Sequence, residues 1–154
     1  MIELIKQLQE HHLNVSVCES FTGGLLASAF THVPGVSSVF KGGIVAYQNS
    51  VKEHLLQIDA QLLNTEGAIS EACAKAMAIQ TQKLLDSDIC VALTGNAGPT
   101  CLEGKALGLW YLAISSHKGC ITYQFQTQLE RNQLQVYAVN LTIEYLKTWI
   151  KENT

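Results

Sequence analysis

Val15-Ser-Val-Cys-Glu-Ser-Phe-Thr-Gly-Gly24 changes its periodicity part-way along. Val15 and Val17 alternate with small polar residues, which suits a strand. Glu19-Ser20 ends that pattern, Thr22-Gly23-Gly24 reads as a turn, and Leu25-Leu-Ala-Ser-Ala-Phe30 reads as a helix. Ser20 and Glu19 therefore stand at the carboxyl end of a strand, where open α/β sheets bind their ligands. A helix start presents unpaired N–H groups and a partial positive charge, suited to an anion or a developing oxyanion. Gly23 and Gly24 carry no Cβ to hold a substrate off the backbone. Two readings of Ser20 are open here: a nucleophile, or a helix cap of the kind Thr22 also supplies.

The remaining segments extend this strand–turn–helix unit into an α/β pattern. Ile2 to His12 has helical apolar spacing, and the second helix, from about Thr22 to Thr31 or His32, stops before Pro34-Gly35. Gly42 to Tyr47 reads as a second strand after a connector at 37–41. Asn49-Ser50-Val-Lys-Glu53 fits a capping box with Ser50 at the N-cap, which puts Lys52 in the first turn of a short helix. The helix dipole disfavours a cation there and lowers its pKa, as a lysine base requires; a solvated surface lysine is the other reading. The stretch 61–67 is read as irregular. Ser70 caps a helix reaching Leu85, and Ile89-Cys-Val-Ala-Leu93 is a doubly covered central strand. That strand delivers Thr94-Gly-Asn-Ala-Gly-Pro99, a second glycine-rich loop, which serves as an anion cradle or as a simple turn. Gly108–Ser115 and Cys120–Thr127 form an antiparallel hairpin whose second strand alternates like a half-exposed edge. A long helix runs from Leu129 to Lys151, with Arg131 at its beginning, where a cation is unfavourable unless an anion binds. The expected fold is α/β, with a mixed, mostly parallel sheet and one antiparallel edge hairpin.

Composition bounds the rest. A chain of 154 residues, 47% apolar and only 15% charged, is expected to form one domain spanning 1–154. The net charge of −3 and the scattered lysines offer no footprint for nucleic acid. No apolar run reaches the roughly 18 residues of a membrane span. Met1-Ile-Glu-Leu-Ile-Lys6 is amphipathic from the start, so a cytoplasmic protein without membrane partners is expected. The five cysteines show no C-x-x-C spacing and are read as reduced thiols, with Cys18, Cys73 and Cys90 in the core and Cys101 in a loop. The five histidines are unclustered, so neither metal nor cofactor is expected. The apolar edge strand is compatible with a homo-oligomer.

With these segments in place the chain resembles the CinA C-terminal domain family, and within it the stand-alone nicotinamide-nucleotide amidases. The likeness rests on Glu19-Ser-Phe-Thr-Gly-Gly24, on Gly43-Ile-Val-Ala-Tyr47-Gln-Asn49 with Lys52, on Gly67-Ala-Ile-Ser-Glu71, and on Thr94-Gly-Asn-Ala-Gly-Pro99, in matching order. It implies a three-layer α/β/α sandwich and hydrolysis of nicotinamide mononucleotide to nicotinic acid mononucleotide and ammonia. The family's catalytic serine falls on Ser20, its tyrosine and lysine on Tyr47 and Lys52, its threonine on Thr94 and its arginine on Arg131. No histidine stands near a motif, so the resemblance implies Ser–Lys chemistry with Tyr47 relaying or orienting the proton. The amides of Thr22, Gly23 and Gly24 are expected to form the oxyanion hole. Thr94, Gly95, Lys105 and Arg131 are expected to hold the nucleotide, and Glu19 either orients Lys52 or closes a turn. The chain departs from the family at Phe21, commonly cysteine, at Asn96, commonly hydrophobic, in a shortened loop at 101–108, and at Gln135. The other class these departures allow is a non-catalytic module for nucleotide binding or protein interaction.

Overall fold

A computed structural model describes all of residues 1–154. Helices α1 (Ile2–Glu10), α2 (Leu25–Thr31), α3 (Asn49–His54), α4 (Ala60–Thr65), α5 (Glu71–Leu85) and α6 (Arg131–Asn153) surround five strands. The strands are β1 (Val15–Glu19), β2 (Phe40–Val45), β3 (Ile89–Gly95), β4 (Leu109–Ser116) and β5 (Gly119–Gln126). They lie in the order β2-β1-β3-β4-β5. β1 pairs parallel with both β2 and β3, and the β4–β5 hairpin adds antiparallel to β3.

The burial of each strand follows its place in that order. β1 is buried at every position and β3 at every position but Gly95, as central strands covered on both faces must be. The outer strands β2 and β5 are far less buried, and β2 alternates regularly. Val15, Val17, Val91, Leu93 and Trp110 point into a core closed by Leu4 and Leu8 of α1, Phe30 of α2 and Leu134 and Leu146 of α6. Cys18, Cys90, Ala92 and Ala113 point to the opposite face, against Cys73, Ala74, Met77 and Ala78 of α5. This is the expected three-layer α/β/α sandwich. Gly43 permits the close approach of α2: a Cβ there would lie 2.6 Å from Val17 Cγ2 and 3.3 Å from Ala27 Cβ.

Three local expectations are corrected. The stretch read as irregular contains α4, whose start is capped by Asp59 accepting from Gln61 N at 2.8 Å, with Leu63 buried beneath it. The capping box does not form: Gln48, not Ser50, is the N-cap of α3 and no side chain caps it. Lys52 consequently sits in the last turn of that helix. Finally, α2 begins at Leu25, leaving Ser20 to Gly24 as a turn that joins strand to helix.

Candidate active site

Both glycine-rich loops lie at the carboxyl ends of adjacent parallel strands, and the cleft forms there. Ser20 and Phe21 come from the end of β1, Tyr47, Asn49 and Lys52 from the segment after β2 and from α3, and Ala68 and Ile69 from the approach to α5. Thr94 and Gly95 at the end of β3, residues 96–98 after it, Leu102 and Glu103 from the next loop, and Arg131 from α6 complete the lining. Ser20 is held by its own main chain, since its N–H donates to Leu93 O at 3.0 Å and its carbonyl accepts from Gly23 N at 3.1 Å. Phe21 is buried beside it with its ring 6.1 Å from that of Trp110.

Lys52 is the most unusual group in the cleft. Only 1% of it is exposed, and its Nζ lies 3.3 Å from Ser20 Oγ, 2.7 Å from Ala46 O and 3.2 Å from Tyr47 O. Burial pushes its pKa below the ordinary lysine value, while the negative charges nearby, Glu103 among them, act in the opposite direction. The direction is the one anticipated, but the cause is desolvation rather than the dipole of α3.

Of the two roles expected of Glu19, closing the turn is the one that forms, and Glu19 makes no hydrogen bond to Lys52. It is fully buried, and its carboxylate accepts from the amides of Gly24 at 3.1 Å, Leu26 at 3.0 Å and Ala27 at 2.8 Å. It therefore fills the N-terminus of α2 that was expected to receive a substrate anion. The amides of Gly23 and Gly24 are both taken, one by Ser20 O and the other by Glu19. The amides of Phe21 and Thr22 donate to no group of the chain. Thr22, Gly23, Gly24 and Glu19 thus stand behind the cleft rather than in its lining, and Lys105 does not line it either.

The rim is built from Tyr47 and Arg131. The Tyr47 side chain is half exposed, and its hydroxyl accepts from Arg131 Nη2 at 2.8 Å, not from Lys52 or Ser20. Arg131 Nη1 donates to Gly98 O at 2.6 Å. Thr94 is buried, and its hydroxyl donates to Ala68 O at 2.6 Å, tying two walls together. The departures from the family pattern have structural work. Asn96 Nδ2 donates to Lys105 O at 3.2 Å and Ala106 O at 3.4 Å, which holds the altered loop, and Gln135 Nε2 donates to Phe21 O at 2.7 Å. Glu103, absent from the sequence-based set, reaches across to accept from Ala68 N at 2.9 Å and Ile69 N at 3.1 Å. Its partners lie more than thirty positions away, so no local pattern could have indicated it.

No helix is long and apolar enough to cross a membrane. The chain matches the family described as the CinA C-terminal domain over residues 1–150. It is 39% identical over 150 residues to the protein MG115 homolog of Mycoplasma pneumoniae, covering 93% of this chain and 94% of that one. It is 35% identical over 149 residues to a CinA-like protein of Thermotoga maritima, covering 96% of this chain but only 36% of that protein. Several other relatives are also matched over about a third of their length. Among solved structures, a competence-damaged protein (CinA) superfamily protein from Klebsiella pneumoniae superposes with a TM-score of 0.94 at 25% identity, over 97% of this chain and 94% of that one. The competence/damage inducible protein CihA of Agrobacterium tumefaciens gives 0.90 at 31% identity, over 96% and 91%. This chain belongs to the CinA C-terminal domain family.

Proposed function

We propose that the protein is an amidohydrolase that converts nicotinamide mononucleotide to nicotinic acid mononucleotide and ammonia, with Ser20 as nucleophile and Lys52 as base. The observation that carries this reading is the buried Lys52 amine 3.3 Å from Ser20 Oγ. A neutral lysine amine has two hydrogens and one lone pair. The carbonyls of Ala46 and Tyr47 accept the hydrogens, which leaves the lone pair for the Ser20 hydroxyl proton.

Ser20 Oγ then attacks the carboxamide carbon as its proton passes to Lys52. The free amide of Phe21, the residue of the turn that lines the cleft beside Ser20, receives the oxyanion, a role the amide following a nucleophile fills in other serine hydrolases. Gly23 and Gly24 serve indirectly, by letting the turn deliver that amide. Lys52 returns its proton to the departing nitrogen, ammonia leaves, and an acyl-enzyme remains. Water then attacks the ester carbon with Lys52 taking its proton, Lys52 passes that proton to Ser20 Oγ as the ester bond breaks, and the acid product leaves and ionises to its carboxylate. Tyr47 contributes its carbonyl to orient Lys52, and its hydroxyl joins Arg131, Thr94 and Gly95 in binding the nucleotide.

The test is ammonia release from nicotinamide mononucleotide by the wild type, Ser20→Ala and Lys52→Ala. Turnover in the wild type should fall by about a thousandfold or more in each folded variant, because nucleophile and base act as a unit. A Ser20→Ala protein that keeps the wild-type rate sinks the mechanism. A wild type that binds the nucleotide, as read by a thermal shift, without releasing ammonia sinks the activity.

A further inference from the structure

Glu103 is the only carboxylate lining the cleft. Its backbone is in the left-handed region at φ +54°, a conformation unfavourable for a residue with a Cβ, and Gly104 follows at φ +66°. This bend turns the carboxylate inward onto the amides of Ala68 and Ile69. Gly67 leaves room for it: a Cβ there would lie 2.4 Å from Glu103 Oε2, and Gly67 itself has φ +84°. Two backbone hydrogen bonds fix a carboxylate but do not exhaust its roughly four acceptor positions. Glu103 forms no salt bridge with any cation of the chain. On another wall Arg131 spends two hydrogen bonds on Gly98 and Tyr47, leaving donors of its five for an anion. The cleft thus offers one fixed anion and one fixed cation.

We propose that Glu103 sets specificity for the charge of the substrate ring, its carboxylate pairing with a cationic N-substituted pyridinium while Arg131 takes the anionic tail. The preferred substrate class is then a zwitterionic pyridinium ribotide, and the same ribotide with a neutral ring is discriminated against. This rests on the amidase reading for its ligand and deepens it by naming the group that reads the ring.

The probe is nicotinamide mononucleotide against its 1,4-dihydro form, which has the same ribose and phosphate but an uncharged ring. Calorimetric dissociation constants of both are measured for wild type, Glu103→Gln and Glu103→Asp, with ammonia release followed on the same wild-type preparation. The wild type should bind the cationic form at least about tenfold more tightly. Glu103→Gln, which keeps a carbonyl oxygen for one backbone amide, should weaken the cationic form alone and bring the ratio toward one; Glu103→Asp should retain most of it. Equal affinities in the wild type overturn the proposal without recourse to any variant. A proportional loss of both ligands in Glu103→Gln also overturns it, since that is what a merely structural contact to Ala68 and Ile69 produces. Ammonia release without ring-charge preference removes this proposal and leaves the amidase reading intact; preference without ammonia release does the reverse.

Discussion

At the scale of single residues, the decisive balance is at Lys52 Nζ. An ammonium there loses its hydration and meets only two backbone carbonyls and a hydroxyl, so the neutral amine gains relative to an ordinary lysine near 10.5. If that amine takes the serine proton, kcat/KM should rise with pH at unit slope on the acid limb and level off below 10.5. Lys52→Arg should abolish the limb together with the activity, because a guanidinium does not give up its proton. A flat profile, with acyl transfer shown to be rate-limiting, removes Lys52 as the base. The same shift has a sign for stability. Between the lowered folded-state pKa and 10.5, the unfolded chain holds a proton that the folded chain does not, so folding strengthens as pH rises through that window. Below the window both states are protonated and the desolvation cost is carried in full.

At the scale of elements, α2 depends on one side chain from the preceding strand. The Glu19 carboxylate supplies acceptors for three amides at the start of α2, and its burial means water cannot replace it. Glu19→Ala should therefore cost about 3–5 kcal/mol, combining lost charge-assisted hydrogen bonds with unsatisfied buried donors. Glu19→Gln should cost clearly less, and urea unfolding of the two variants measures the difference; equal and small losses would show that α2 is held by packing alone. The same element shows what a sequence discloses. The break at Glu19-Ser20 and the Thr22-Gly23-Gly24 turn are local, so the strand, the turn and the place of Ser20 were legible at once. The N-terminus of α2 was legible too, but its occupant was not: Glu19 precedes the helix and folds back over the turn to reach it. At α3 the Ser50–Glu53 spacing satisfied a local pattern, yet the chain leaving β2 starts the helix at Asn49 and Lys52 is drawn inward. Glu103 and Gln135 act across long separations in sequence, and only the assembled chain defines what they touch.

At the scale of the whole molecule, the two faces of the sheet are built from different material. One is filled with large side chains such as Phe30, Trp110 and the leucines of α1 and α6; the other is filled with alanines, Met77 and thiols, which lets α5 lie close to β1, β3 and β4. Cys18, Cys73 and Cys90 are completely buried in that second face. Burial pushes the Cys18 thiol up to about 12 and the Cys73 thiol up to about 11, and Cys90 is raised as well. None of the three can offer a thiolate to a reagent at pH 8 while the fold is closed. Cys101 is exposed, and Cys120 is intermediate with its pKa raised by burial. Iodoacetamide should therefore label Cys101 first and Cys120 more slowly. The three core thiols should follow at one shared rate that increases with denaturant in step with global unfolding, as peptide mapping by mass spectrometry can resolve. Ala68 and Ile69 belong both to this face and to the lining of the cleft, so opening the face dismantles the cleft. Activity and protection of Cys73 should consequently be lost at the same denaturant concentration. Activity lost well before Cys73 becomes reactive would mean that the loops carrying Glu103 and Arg131 open as a unit of their own, ahead of the core that supports them.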